Sequence, residues 1–189
     1  MKYAPFRTLI TPRLTLRKLS LSDAPLFYAR LGGSEAVTKH MLWVPHRELS
    51  ESEESIRKAL ARYDAGKFYR WAITETGAEG IIGIIDLLRF DEEAGTCSFA
   101  YMLSEEFWGR GYGTEALKAV LDFAFRDMEM AAAEADHFAE NPASGAVMRK
   151  AGMRYTHTVP GLYEKNGIRH DALRYRITRE EWKNRYRQR

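Results

Sequence analysis

Three glycines at alternate positions, Gly109, Gly111 and Gly113, separate an apolar run from a segment of clean helical period in EEFWGRGYGTEALKAVLDFAF, residues 105–125. A chain that strips side chains from a turn just where a helix begins makes room for something to approach the backbone. The first amides of a helix have no partner inside it, and they point outward with the positive end of the helix dipole. With no Cβ atoms in the way, a phosphate reaches those amides directly. Arg110, inside the turn, adds Coulombic attraction. The stretch therefore demands a strand, a tight turn and a helix in that order, with an anionic group at the turn.

The flanking sequence supplies those elements. After Gly113, residues Leu117, Val120, Leu121, Ala124 and Phe125 fall on one helical stripe. Before it, FYRWAIT, GIIGIIDLLRF and TCSFAYML read as strands. The short polar loops ETGAEG and DEEAG join them, which predicts an antiparallel meander. RLTLRKL, from Arg13, alternates like a half-buried strand. Ser22 is expected to cap a first helix reaching about Leu31, and Ser50 with Glu53 forms a capping-box pattern for a second, with Ile56, Leu60 and Tyr63 inward. AAAEADHF predicts a strand. NPASGAVMRKAGM predicts a short helix with Asn141 as cap, Pro142 at its first position and Gly152 as its stop. Strands are expected near Met153–Val159 and His170–Ile177, with a loop between them and a short basic helix from Arg179. The order predicts an α/β fold in a single domain over residues 1–189. Its mixed central sheet is antiparallel in the N-terminal part, parallel around the central helix, and flanked by helices.

Composition mainly excludes. Cys97 is the single cysteine among 189 residues, so neither an internal disulfide nor a cysteine-based zinc cluster forms, and a reducing compartment is expected. Charges and prolines interrupt the N-terminus, and no apolar run reaches membrane-spanning length, so a cytoplasmic protein without membrane contact is expected. The five histidines lack metal-ligand spacing and no metal is expected. The net charge of +3 suits an anionic ligand without demanding nucleic acid, and the tail RITREEWKNRYRQR reads as a solvated helix face. Cys97, mid-strand, reads as core.

Phosphate-binding patterns narrow the ligand. The P-loop pattern is absent. The dinucleotide pattern is formally met by GYGTEA, residues 111–116, and Asp136 follows at about the spacing of roughly 20 residues that pattern expects. Its setting differs, because it follows a meander and too little chain remains for the second half of such a sheet.

YMLSEEFWGRGYGTEAL followed by ENPASGAVMRKAGM resembles the acetyl-CoA-binding core of the GNAT superfamily of N-acetyltransferases. It is similar in particular to the branch that holds the ribosomal-protein N-terminal (alanine/serine) acetyltransferases. LITPRLTLRKLSLSDA resembles that branch's opening strand and helix, and KNGIRHDALRYRITREEW its closing strand pair. One position departs. The superfamily loop opens with Gln or Arg where this chain has Trp108, a residue the branch commonly carries there, and its ring is expected to pack under the turn.

The resemblance implies direct transfer of an acetyl group from acetyl-CoA to a primary amine. It places pyrophosphate contacts on Gly109, Arg110, Gly111, Tyr112, Gly113 and Thr114, beside Trp108. Tyr101, Met102 and Leu103 run along the pantetheine arm, at a splay between strands where a free amide polarises the thioester carbonyl. Asn141 contacts the pantetheine amides, caps the helix, or does both. Many superfamily members use a tyrosine as acid where this chain has Met148. Ser144 fills the position that stabilises the leaving thiolate in the branch, or bonds within the first helical turn. Glu134 and Asp136 are the candidate bases acting through water, sharing a strand face by alternation. Trp43 and Tyr163 are candidates for the acceptor side. The first acceptor expected is a protein N-terminus, with polyamines, amino sugars or drugs open on the same scaffold. A non-catalytic acyl-CoA-binding module, a dinucleotide oxidoreductase and a homodimer also stay open.

Overall fold

The computed structural model describes residues 1–63 and 67–186. Strands β1 (Leu9–Ile10) and β2 (Leu14–Arg17) precede a helical region: α1 (Ala24–Phe27, running into a π-turn at Tyr28–Gly32), α2 (Glu35–Thr38) and α3 (Leu49–Tyr63). The meander follows as β3 (Tyr69–Glu75), β4 (Gly83–Asp91) and β5 (Thr96–Leu103). Then come α4 (Tyr112–Arg126), β6 (Ala132–Phe138), α5 (Pro142–Ala151), β7 (Arg154–Lys165), β8 (Ile168–Thr178) and α6 (Arg179–Tyr186).

All eight strands form one sheet in the order β1-β2-β3-β4-β5-β6-β8-β7. Alternation divides their side chains between two layers. Tyr69, Trp71, Ile73, Ile85, Phe99, Ala133 and Tyr175 pack under the stripe of α4, with α5 and α6 beside it. Ala72, Ile84 and Met102 face the other way and pack on Phe27, Leu31, Ile56 and Ala59 of α1, its π-turn and α3. The meander and the mixed sheet expected from the sequence are present. Among the described residues only β5 and β6 pair in parallel, so the run of parallel strands that a dinucleotide fold needs is missing there.

That one parallel pair is short. It covers Thr96–Ala132, Cys97–Ala133 and Ser98–Glu134. Beyond it β5 continues to Leu103 paired with β4, and β6 continues to Phe138 paired with β8. The two strands diverge, and the sheet opens as a V facing the turn that leads into α4.

Two local expectations need correction. Ser20, not Ser22, opens the first helical region, in a reciprocal capping box with Asp23. The segment expected as a loop between the last two strands is strand almost throughout. It turns at Asn166-Gly167, whose φ values of 52° and 76° match the two-residue hairpin turn for which Asn-Gly is the strongest short-range signal. Tyr163 accordingly stands in β7.

Candidate functional site

The turn between β5 and α4 is built to present bare amides. Gly109 and Gly111 have φ of +73° and +82°, a left-handed conformation that costs an L-residue roughly 1–2 kcal/mol. A Cβ at Gly109 would meet nothing within 4 Å, so the space above the turn is open. Gly111 is the N-cap and offers no side chain, and the first helical bond runs from the Glu115 amide to the Gly111 carbonyl at 3.0 Å. The amides of residues 109–114 donate to no acceptor among the described residues.

Neighbouring side chains brace the turn from behind. Arg13 donates to the Arg110 carbonyl at 3.0 Å and to the Glu115 carboxylate at 2.7 Å, and its guanidinium lies over the Tyr112 ring. Thr11 adds a second bond to Glu115. Sequence reasoning missed this brace, because its partners lie about a hundred residues apart along the chain. Trp108 does not pack under the turn as expected. Its ring is half exposed, and its Nε1 donates to the Leu103 carbonyl at 2.7 Å. The indole therefore ties the loop to the end of β5.

The open V lies next to this turn. The Ser104 amide donates toward β4, to the Ile82 carbonyl, so alternation turns the backbone groups of Leu103 and Tyr101 into the gap. From across the gap α5 presents its first turn. Asn141 caps it, accepting from the Ser144 amide at 3.2 Å. The Tyr101 hydroxyl reaches Ser144, 2.8 Å from its Oγ and 3.0 Å from its carbonyl oxygen. Burial pushes the Tyr101 phenol well above its ordinary value, which keeps its proton in place. Met148 is buried in the core. Gly145 allows close packing here, since a Cβ would sit 2.6 Å from Nε2 of His137.

On the other face of the sheet a cavity of about 1070 Å³ opens against the same strand. Trp43, Met41, Val44 and Phe27 form its apolar wall, Glu51, Glu54 and Arg57 of α3 its rim, and Ala100, Tyr101 and Met102 one edge. Its floor is an ion pair. Arg70 and Asp86 face each other in the β3–β4 register and bond through two contacts of 2.7 Å each. Their signal was legible, for each interrupts an apolar strand run with a charge.

The remaining candidates sit apart from the cavity lining. Glu134 and Asp136 share a face, as alternation requires, and each meets an arginine directly opposite on β8: Arg176 at 3.3 Å and Arg174 at 3.2 Å. Asp136 also accepts from the Tyr163 hydroxyl, and the Tyr163 ring stacks on Phe138 with centroids 4.5 Å apart. Of the acceptor-side candidates, Trp43 lines the cavity and Tyr163 does not. No helix of the described residues is long and apolar enough to cross a membrane.

Comparison with known proteins fits this geometry. Residues 13–154 match the model of the acetyltransferase (GNAT) domain family. The uncharacterized N-acetyltransferase p20 of Bacillus licheniformis is 31% identical over 137 residues, 72% of this chain and 76% of that protein. The ribosomal alpha-N-protein acetyltransferase RimL, solved with coenzyme A, superposes with a TM-score of 0.81 at 18% identity, over 91% of this chain and 98% of that one. Spermidine N-acetyltransferase from Vibrio cholerae, solved with CoA and spermine, does so with a TM-score of 0.77 at 19% identity, over 91% and 99%. The two solved structures share the fold while their named acceptors differ. This chain belongs to the GNAT family of acetyl-CoA-dependent N-acetyltransferases.

Proposed function

We propose that the acceptor is the α-amino group of a protein N-terminus, admitted through the cavity beside α3. The observation that carries this reading is the position of residues 100–102. The same short piece of β5 borders the open V, near the bare amides of the turn, and the edge of the cavity on the opposite face. A thioester threaded through the V would meet an amine arriving from the cavity.

Acetyl-CoA, when bound, supplies the activated acetyl group; the rest falls to the chain. Amides 109–114 and Asn141 would hold the diphosphate and the pantetheine arm. The backbone N–H groups of Tyr101 and Leu103, fixed by the β4 pairing, are available to the thioester oxygen, a role worth about 3–4 kcal/mol where one such donor has been removed. Ser144, backed by Tyr101, is the hydroxyl available to the departing sulfur. An α-amino group has a pKa of about 7.7–8.0, so an appreciable fraction, roughly a tenth or more, is already the neutral nucleophile near pH 7 and no strong base is required. Asp86 is better placed than Glu134 or Asp136 to hold the incoming amine, because it lines the cavity and they do not.

Charge disfavours a polyamine acceptor. The cavity is lined by Asp86, Glu51 and Glu54 against Arg47, Arg57, Lys58 and Arg70. A polycation would meet more like charge than opposite charge there. A peptide carrying a single amine would not. A cytoplasmic location suits the reading, since Cys97 is buried and unpaired.

The test is CoA release, followed with a thiol reagent over N-terminal peptides, polyamines and amino sugars. Seryl- or alanyl-terminated peptides are expected to be the best acceptors. Preference for spermidine would overturn the acceptor assignment, and CoA binding without turnover on any amine would overturn acetyl transfer.

A further inference from the structure

Between α2 and α3 the chain runs through residues 39–48 without regular structure, so its carbonyls have no ladder to accept from. The far end of this segment is fixed locally. The His46 amide donates to the Gly32 carbonyl at 2.8 Å, and its ring Nδ1 lies 2.7 Å from Ser52 Oγ. The Tyr28 hydroxyl donates to the Arg47 carbonyl at 2.9 Å. The middle is held from more than a hundred residues away. Nζ of Lys165, at the tip of the β7–β8 hairpin, lies 2.6 Å from the carbonyl oxygen of Thr38, 2.8 Å from that of Met41, 3.2 Å from that of Lys39 and 3.4 Å from that of Trp43.

An ammonium has three protons. Here they close on the Thr38 and Met41 oxygens and divide between the two longer contacts. Burial pushes the Lys165 amine below its ordinary value, and no carboxylate offsets that shift. The carbonyl dipoles therefore hold the charge. The Asn166-Gly167 turn beyond Lys165 is the shortest kind that joins two strands, so the side chain arrives from a fixed point. Met41 and Trp43, whose carbonyls it holds, are both among the residues that line the cavity.

We propose that Lys165 is the positioning residue of the acceptor wall, fixing the backbone of Met41 and Trp43 and so the surface that the incoming amine meets. This rests on the acetyl-transfer reading of the cavity. A stabilising brace and a positioning residue differ in what their loss changes. A brace lowers the melting temperature alone, whereas a positioning residue changes acceptor affinity and leaves acetyl-CoA affinity intact.

Two measurements on the full chain, wild type and Lys165→Met, decide it. By hydrogen exchange, peptides covering residues 38–47 should exchange faster in the variant while those covering residues 112–126 stay unchanged. In acetyl transfer to a seryl-terminated hexapeptide, the KM for the peptide should rise about tenfold or more, the size of one lost charge-assisted hydrogen bond, with the acetyl-CoA KM unchanged. Lys165→Cys alkylated with 2-bromoethylamine rebuilds the ammonium on a side chain of the same number of atoms, with sulfur in place of Cγ, and buried Cys97 is protected from the reagent. This should restore both readouts. Unchanged exchange at residues 38–47 would overturn the clamp. Faster exchange with an unchanged peptide KM would reduce Lys165 to a brace and overturn the positioning role. If the wild type acetylates no such peptide, the acceptor assignment fails by itself, and the exchange arm still decides whether Lys165 holds the wall.

Discussion

The hydroxyl of Tyr101 lies 2.8 Å from the Oγ of Ser144 and joins β5 to α5 across the open V. Its one proton, held in place by burial, can go to the Ser144 side chain or to its carbonyl. In the first arrangement Ser144's own proton is left to point into the gap. Ser144→Ala is therefore expected to lower kcat by roughly 100-fold, the low end for a positioned proton donor, with the acetyl-CoA KM little changed. Tyr101→Phe should give a smaller loss, and the double variant should be no worse than Ser144→Ala, because the two act as one unit. Steady-state kinetics with both substrates varied checks this. A Ser144→Ala enzyme with full kcat would remove the hydroxyl from the mechanism.

Arg13 holds the glycine turn by its carbonyl at Arg110 and by Glu115 in the first turn of α4. Arg13→Met should raise the acetyl-CoA KM several-fold. The melting temperature should move little, since the Arg13 side chain is half exposed and exposed pairs contribute under about 1 kcal/mol. Gly111→Ala should raise the same KM through backbone strain, as φ there is +82°. A fall in thermal stability with no change in either KM would mean that the brace serves the fold and not the turn.

The sheet and the turn were legible because their signals are local. Strand alternation, short polar loops, three glycines and the punctuation Asn141, Pro142 and Gly152 all act within a few residues. The V was expected only from the family resemblance, since nothing in either strand's own sequence announces where pairing stops. What stayed hidden joins distant segments: Arg13 to Glu115, Lys165 to Met41, Tyr101 to Ser144. The Asn166-Gly167 hairpin has a strong turn signal, but the runs beside it are polar and exposed and lack the apolar alternation that marks strands.

His137 makes stability depend on pH. It is 5% exposed, its Nδ1 lies 2.7 Å from the Phe138 carbonyl oxygen, and Nε2 has no partner among the described residues. Burial pushes its pKa below the ordinary 6.5, against the opposing pull of that hydrogen bond and with help from the Arg149 charge. The unfolded chain then takes up the proton first as pH falls, so the contribution is present above about pH 6.5 and is lost below it. His40 and His46 are also shifted down by burial and act in the same sense. Melting temperature should fall from pH 7.5 to 5.5, each histidine contributing at most about 1.4 kcal/mol per pH unit. His137→Asn keeps a donor for the Phe138 carbonyl and should make that fall shallower. An identical pH dependence in wild type and variant would show that His137 titrates normally.

The Arg70–Asp86 pair separates stability from acceptor binding. Both side chains are largely buried, 24% and 12% exposed, and each oxygen of Asp86 accepts from Arg70 at 2.7 Å. Asp86→Ala leaves the guanidinium unpaired, at a cost near the lower end of the about 3–5 kcal/mol seen when a buried pair loses one member. Arg70→Leu with Asp86→Ala removes both charges and should recover most of that stability, since apolar replacements of buried pairs are often neutral. Acceptor affinity should not recover with it, if Asp86 is the group that receives the amine. In the double variant the KM for a seryl-terminated peptide should stay raised while thermal melting returns toward wild type. The acetyl-CoA KM should be untouched, because the bare amides of the turn, residues 109–114, lie between β5 and the opening of α4, outside the cavity lining. A stable double variant with the wild-type peptide KM would make the pair part of the cavity floor and nothing more, and the amine's partner would have to be sought at Glu51 or Glu54 on the rim.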